Sequence, residues 1–133
     1  MTRLEIGENR APRFGVPTWA GEWPVTIDGS EVALILETER GYRLRQGGRW
    51  LYPERSCRST AEDDARNVFL SWATQASHVW SGTRYQETEC NGQTWSRVTV
   101  NGAVAFGPER GTERAYAEYN RRYAKSTEGV NGK

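Results

Sequence analysis

Residues 41–59 read GYRLRQGGRWLYPERSCRS. Gly47-Gly48 separates two short runs rich in Tyr, Leu and Trp, the pattern of a β-hairpin closed by a two-residue turn. With that turn Gln46 faces Arg49, Arg45 faces Trp50, Leu44 faces Leu51 and Arg43 faces Tyr52. Strand side chains alternate, so Arg43, Arg45, Trp50 and Tyr52 share one side, and Leu44 and Leu51 share the other. The leucine side needs a cover. It follows at once: Ser59-Thr60-Ala61-Glu62 matches a capping box, with Asp63 and Asp64 favourably placed against the helix dipole. A hairpin followed by a covering helix makes this an α+β chain.

Working outward, Asp28-Gly29 and Glu39-Arg40-Gly41 add turns, and residues 23–53 read as a four-strand meander. Gly41 as the left-handed residue of a three-residue loop sets Leu36 opposite Leu44 and Glu37 opposite Arg43. The apolar face is then Val25, Ile27, Val32, Leu34, Leu36, Leu44 and Leu51. Ala61, Ala65, Val68, Phe69, Trp72, Ala73, Ala76 and Val79 recur at helical spacing, which predicts one helix over 60–80 with Gly82 as its stop. Val68, Phe69 and Trp72 complete the expected core. Further on, Asn91-Gly92 and Asn101-Gly102 predict three strands over 84–106, and Ala115, Tyr116, Tyr119 and Tyr123 mark a helix over 112–125.

The expected architecture is α+β: two antiparallel β-meanders, each followed by an α-helix packed on its sheet. It occupies one domain, 23–125, in sub-units 23–82 and 83–125. Residues 1–22 form an irregular arm whose Phe14, Val16 and Trp19 are available for packing, and 126–133 form a polar tail. Both strand-to-helix junctions carry the same tripeptide, Pro53-Glu54-Arg55 and Pro108-Glu109-Arg110. Internal duplication and the suitability of Pro and Glu for helix starts each account for it.

The 133 residues are 36% hydrophobic and 26% charged with a net charge of +1, so no global field draws the chain to nucleic acid or anionic membrane. Any such affinity is local. Residues 40–58 concentrate Arg40, Arg43, Arg45, Arg49, Arg55 and Arg58 against Glu54 alone. Lysine occurs only at Lys125 and Lys133, and six tryptophans exceed what a core of this size readily hides. Trp and Arg are the residues most enriched at binding hot spots.

Cys57 and Cys90 lack metal-type spacing, and neither a signal-peptide core nor a membrane-length apolar run occurs. This predicts a cytoplasmic protein with free cysteines and no membrane association. His78, the sole histidine, falls near the end of the expected helix. Cys57 sits between Arg55 and Arg58, which lowers a thiol pKa, but no base or resolving cysteine accompanies it. The Glu62-Asp63-Asp64 run is explained by helix electrostatics. Phosphate loops and nucleophile elbows are lacking. No catalytic residue, metal or cofactor is expected.

YRLRQGGRW followed by a helix, and TWSRVTVNGAVAFG followed by another, resemble the three-strand-plus-helix modules of AP2 domains and of phage integrase arm-binding domains. The resemblance spans about half the chain. It implies a sheet face that enters the DNA major groove, with Arg43, Arg45, Arg49 and Trp50 in the first module and Trp95 and Arg97 in the second. Departures are an additional strand, missing lysines, and Glu37, Glu87 and Glu89 near that face. The residues themselves leave three uses of the Arg/Trp/Tyr surface open. It is a nucleic-acid-binding face, the docking surface of an accessory or phage-encoded protein that modulates a host protein, or a cation–π ladder satisfied within itself.

Overall fold

Turn chemistry sets the framework. The computed structural model describes residues 2–10 and 21–131, with the backbone alone at 75–80 and 123–131. Asp28-Gly29, Asn91-Gly92 and Asn101-Gly102 all have positive φ at both residues, as the tight hairpin turn requires. Residues are grouped in two compact units, Thr2–Leu70 and the remainder from Ser71.

The first unit is a five-stranded antiparallel sheet in sequential order: β1 Leu4–Ile6, β2 Glu22–Ile27, β3 Ser30–Thr38, β4 Gly41–Gln46 and β5 Arg49–Arg55. Helix α1, Arg58–Phe69, packs on it, chiefly over β4. Trp23, Val25, Ala33, Ile35 and Leu44 are buried beside Ala61, Ala65 and Leu70 of the α1 segment. The second unit is a four-stranded antiparallel sheet, β6 Ala73–Trp80, β7 Thr83–Cys90, β8 Gln93–Val100 and β9 Ala103–Arg110, with α2, Glu113–Asn131. Ala115 and Tyr119 of α2 bury against Tyr85 and Val98, with Phe106 packed at the edge. The chain is therefore α+β, with one helix after each antiparallel sheet region.

Several local expectations need correction. The arm is not irregular throughout: β1 pairs with β2, and the Gly7 and Arg10 amides donate to the Pro24 and Glu22 carbonyls. Phe14, Val16 and Trp19 lie outside the described residues. The expected helix over 60–80 ends at Phe69, and 73–80 is a strand instead. Ser81 and Gly82 both have positive φ and close a hairpin, so β7 supplies the ladder that helical spacing could not foresee. The second sheet thus has four strands rather than three. His78 falls in β6, with its side chain outside the described residues.

The helix begins two residues earlier than the capping box implied. Cys57, extended at φ −137° and ψ 154°, is the N-cap, and no acidic residue occupies the first turn. Asp64 is buried instead, its carboxylate held bidentately by Arg55 at 2.7 and 2.9 Å. At the other end of the chain α2 runs to Asn131, so residues expected in the polar tail are helical.

The largest correction is the register of β3. Thr38 pairs with Gly41 across a two-residue Glu39-Arg40 turn, which sets Ile35 opposite Leu44 and Leu36 opposite Arg43. A slip of one residue turns the whole strand over. Ala33 and Ile35 face the helix, whereas Val32, Leu34 and Leu36 are half-buried on the other face. Gly41 is needed here for close approach, since a Cβ would drive into the Arg55 carbonyl oxygen. Of the expected helical core, Val68 is exposed and Phe69 and Trp72 are half-buried.

The Pro-Glu-Arg tripeptides stand at matching places. Each ends the last strand of its sheet, two residues before its helix, and each proline follows a left-handed residue, Tyr52 at φ 61° and Gly107 at φ 86°. Both prolines lie on edge strands, where a missing N–H costs no ladder bond and discourages pairing with another chain. Among the described residues no helix is long and apolar enough to cross a membrane.

Candidate binding surface

The first sheet presents its face opposite α1 without a cover from that helix. Arg45 pairs with Trp50 and Leu34, and Arg43 pairs with Leu36, so these side chains share that face. The Arg43 and Arg45 guanidinium carbons lie 5.3 and 4.8 Å from the Trp50 ring centroid. Each arginine is anchored by Nε: Arg43 donates to the Tyr52 carbonyl at 2.7 Å and Arg45 to the Gly47 carbonyl at 3.1 Å. Four N–H donors remain on each guanidinium beyond Nε. Trp50 itself is 40% exposed.

Tyr52 does not join this set. A register shift between Tyr42 and Leu44 brings Arg55 opposite Tyr42, and Tyr52 sits in a left-handed conformation with Arg55 5.7 Å from its ring. The Tyr52 carbonyl, not its ring, serves the platform by fixing Arg43. Arg49 pairs with Gln46 at the turn, exposed and on the opposite alternation from Trp50.

The second sheet repeats the chemistry with other residues. Trp95 pairs with Thr88 and Arg110, and the Arg110 guanidinium lies 5.8 Å from its ring. Arg97 lies 4.5 Å from the ring of Trp72 and donates Nε to Gln86 Oε1 at 2.8 Å, while Gln86 Nε2 donates to Thr74 Oγ1 at 3.1 Å. Trp95 and Arg97 alternate with Ser96 and Val98, which are buried. Sequence reasoning missed Trp72, Gln86 and Arg110 as neighbours. Helical spacing places Trp72 in the core of a helix, and the Gln86 and Arg110 partnerships depend on strand pairing.

The acidic residues near these surfaces sort to the other side. Glu37 pairs with Tyr42 and accepts the Gly21 amide, and Glu87 accepts the Tyr85 hydroxyl at 2.7 Å. Glu89 shares the alternation of Glu87. On the open face Glu22 and Glu31 remain, both held by Arg10 at 2.7 and 2.9 Å. They border a shallow groove of about 680 Å³ floored by Val32, Leu34 and Leu36 and bounded by Arg45 and Gly47. Sequence alone places Arg10 in the irregular arm, with no partner for it.

Both cysteines are free, Cys57 exposed and Cys90 buried. The Cys57 Sγ lies 3.3 Å from Ser59 Oγ and 3.0 Å from Thr60 Oγ1, whose hydroxyls can donate to a thiolate and draw its pKa down to about 7. Alkylation of Cys57 by iodoacetamide, followed by mass spectrometry, is expected to reach half its maximal rate at about pH 7. The Ser59→Ala/Thr60→Ala variant should shift that midpoint toward the ordinary thiol value of about 8.5. A wild-type midpoint already at the ordinary value would contradict the hydrogen-bonded thiolate. Among the described residues no group of three or more His, Cys, Asp or Glu side chains converges on a metal position.

Comparison of the chain with protein-family models, curated proteins and solved structures finds no match.

Proposed function

We propose that this chain is a non-catalytic nucleic-acid-binding protein that grips phosphates with the open sheet face of Arg43, Arg45 and Trp50. The observation that carries the reading is the pair of guanidiniums held against one tryptophan, with Nε tied to backbone and terminal N–H groups left for an anion. Two residues apart on one strand, their Cα atoms are separated by about 7 Å, so neighbouring cationic groups stand side by side on one face, each able to take a phosphate oxygen. The removal of Glu37, Glu87 and Glu89 to the opposite faces supports the same reading. Trp95 and Arg97 offer a second contact area of like composition.

A second reading has its own support. Val32, Leu34 and Leu36 on the same face favour a protein partner, as for an accessory protein that modulates a host factor. Fluorescence anisotropy with labelled DNA across a salt series separates the two. Under the nucleic-acid reading, Arg43→Ala/Arg45→Ala should weaken binding and reduce the magnitude of the log–log salt slope by about 1.4 to 1.8 units, from two lost phosphate contacts. Absence of binding to any nucleic acid at low salt would remove the reading and leave the protein partner in its place.

A further inference from the structure

We infer that the nucleic acid taken by the first sheet is single-stranded, with an unpaired, amine-bearing base seated in the groove beside the arginine pair. The inference rests on the phosphate-gripping reading above and adds the form of the ligand and its base preference. Three features of one face carry it: the groove itself, the arginines at one side of it, and the carboxylates at the other.

The groove, at about 680 Å³, is large enough for a nucleotide and has an aliphatic floor of Val32, Leu34 and Leu36. A base laid on that floor exchanges water for apolar contact, which a base stacked and paired inside a duplex cannot do. Trp50 is a poor competitor for it, because Arg43 and Arg45 already lie over its ring. Phosphates therefore belong with the arginines and the base with the leucines. Glu22 on β2, across β3 from the arginine strand, and Glu31 near the start of β3 also line the groove with their carboxylates. Arg10 takes Oε1 of each, which fixes their orientation and leaves the second oxygen of each as an acceptor. An acceptor there suits an exocyclic amine, as on cytosine N4, and opposes the O4 carbonyl of thymine. The same carboxylates argue against an acidic peptide, the other anionic and apolar ligand the face could suit.

The test uses the full chain and fluorescein-labelled oligo(dC) and oligo(dT) of about twelve nucleotides, each free and annealed to its complement, read by anisotropy. Expected are tighter binding to the single strand than to its duplex, and a preference for oligo(dC) over oligo(dT) of about fivefold or more. In Glu22→Gln/Glu31→Gln the preference should collapse even if overall affinity rises with the added positive charge. Leu36→Trp, which fills the groove from an already accessible position, should remove the single-strand preference while keeping the salt slope. Duplex binding equal to or tighter than single-strand binding overturns the inference and leaves the phosphate-gripping reading intact, as does equal affinity for dC and dT. Lack of binding to every oligonucleotide at low salt overturns both. A labelled peptide of alternating Glu and Leu that binds wild type more tightly than oligo(dC), and loses this in Leu36→Trp, assigns the groove to a protein segment instead.

Discussion

Leu44→Ala is expected to lower the unfolding free energy by about 3 to 4 kcal/mol, whereas Leu34→Ala on the neighbouring strand should cost about 1 kcal/mol or less. Leu44 is fully buried between Ile35 and Leu51 under α1, so truncation removes its transfer energy and leaves a cavity that a helix cover cannot collapse. Leu34 is half-buried on the open face, opposite Arg45, and its loss is filled by water. Urea denaturation of both variants measures the difference directly. The pair also tests the strand register. Had Leu36 faced Leu44, Leu34 would be a core residue and the two costs would be alike, so equal losses would refute the pairing of Ile35 with Leu44.

Arg55→Ala is expected to cost about 3 kcal/mol at neutral pH. Asp64 is nearly fully buried and Arg55 about one-third exposed, so removal of the guanidinium leaves a carboxylate without its partner, at the lower end of the range for broken buried pairs. Burial pushes the Asp64 carboxyl above its usual pKa, and the Arg55 guanidinium pulls it partly back. A carboxyl whose pKa is higher folded than unfolded binds its proton more tightly in the native state, so its contribution is present at low pH and is lost as pH rises through the folded pKa. Without Arg55 that pKa climbs further. The deficit of Arg55→Ala relative to wild type should therefore shrink as pH falls below neutral and Asp64 takes up a proton. Arg55→Ala/Asp64→Asn, which removes both charges, should recover part of the loss at pH 7. A deficit that stays constant with pH would show that the arginine acts through packing alone.

This pair also gives the first Pro-Glu-Arg tripeptide a physical role. The tripeptide follows a left-handed residue and ends the edge strand, and its arginine, the last residue of that strand, reaches the helix carboxylate. In the second unit Arg110 turns instead to Trp95, and Arg114 reaches back to Glu109 at 2.7 Å. The same local chain path carries different tertiary contacts in the two units.

The elements legible in the sequence are those whose cause is local. Asp28-Gly29, Asn91-Gly92 and Asn101-Gly102 close hairpins because positive φ is cheap for Asn, Asp and Gly, and Arg45 faces Trp50 because alternation from Gly47-Gly48 leaves no other partner. The cationic and aromatic composition of the open face followed from that same alternation. What needed the tertiary structure was every decision that a distant strand makes. Helical spacing of Trp72, Ala73, Ala76 and Val79 yields to β7, which offers residues 73–80 a ladder of hydrogen bonds. The facing of β3 turns on one residue at Gly41, where contact with the Arg55 carbonyl excludes a side chain, and that contact joins the two ends of the β4–β5 hairpin, fourteen residues apart in sequence. Arg10 finds Glu22 and Glu31 only once β2 and β3 are paired. Local preferences of a few tenths to about 1 kcal/mol select turns and helix starts, but the burial of Ile35 and Leu44 outweighs them, and burial is a property of the assembled sheet.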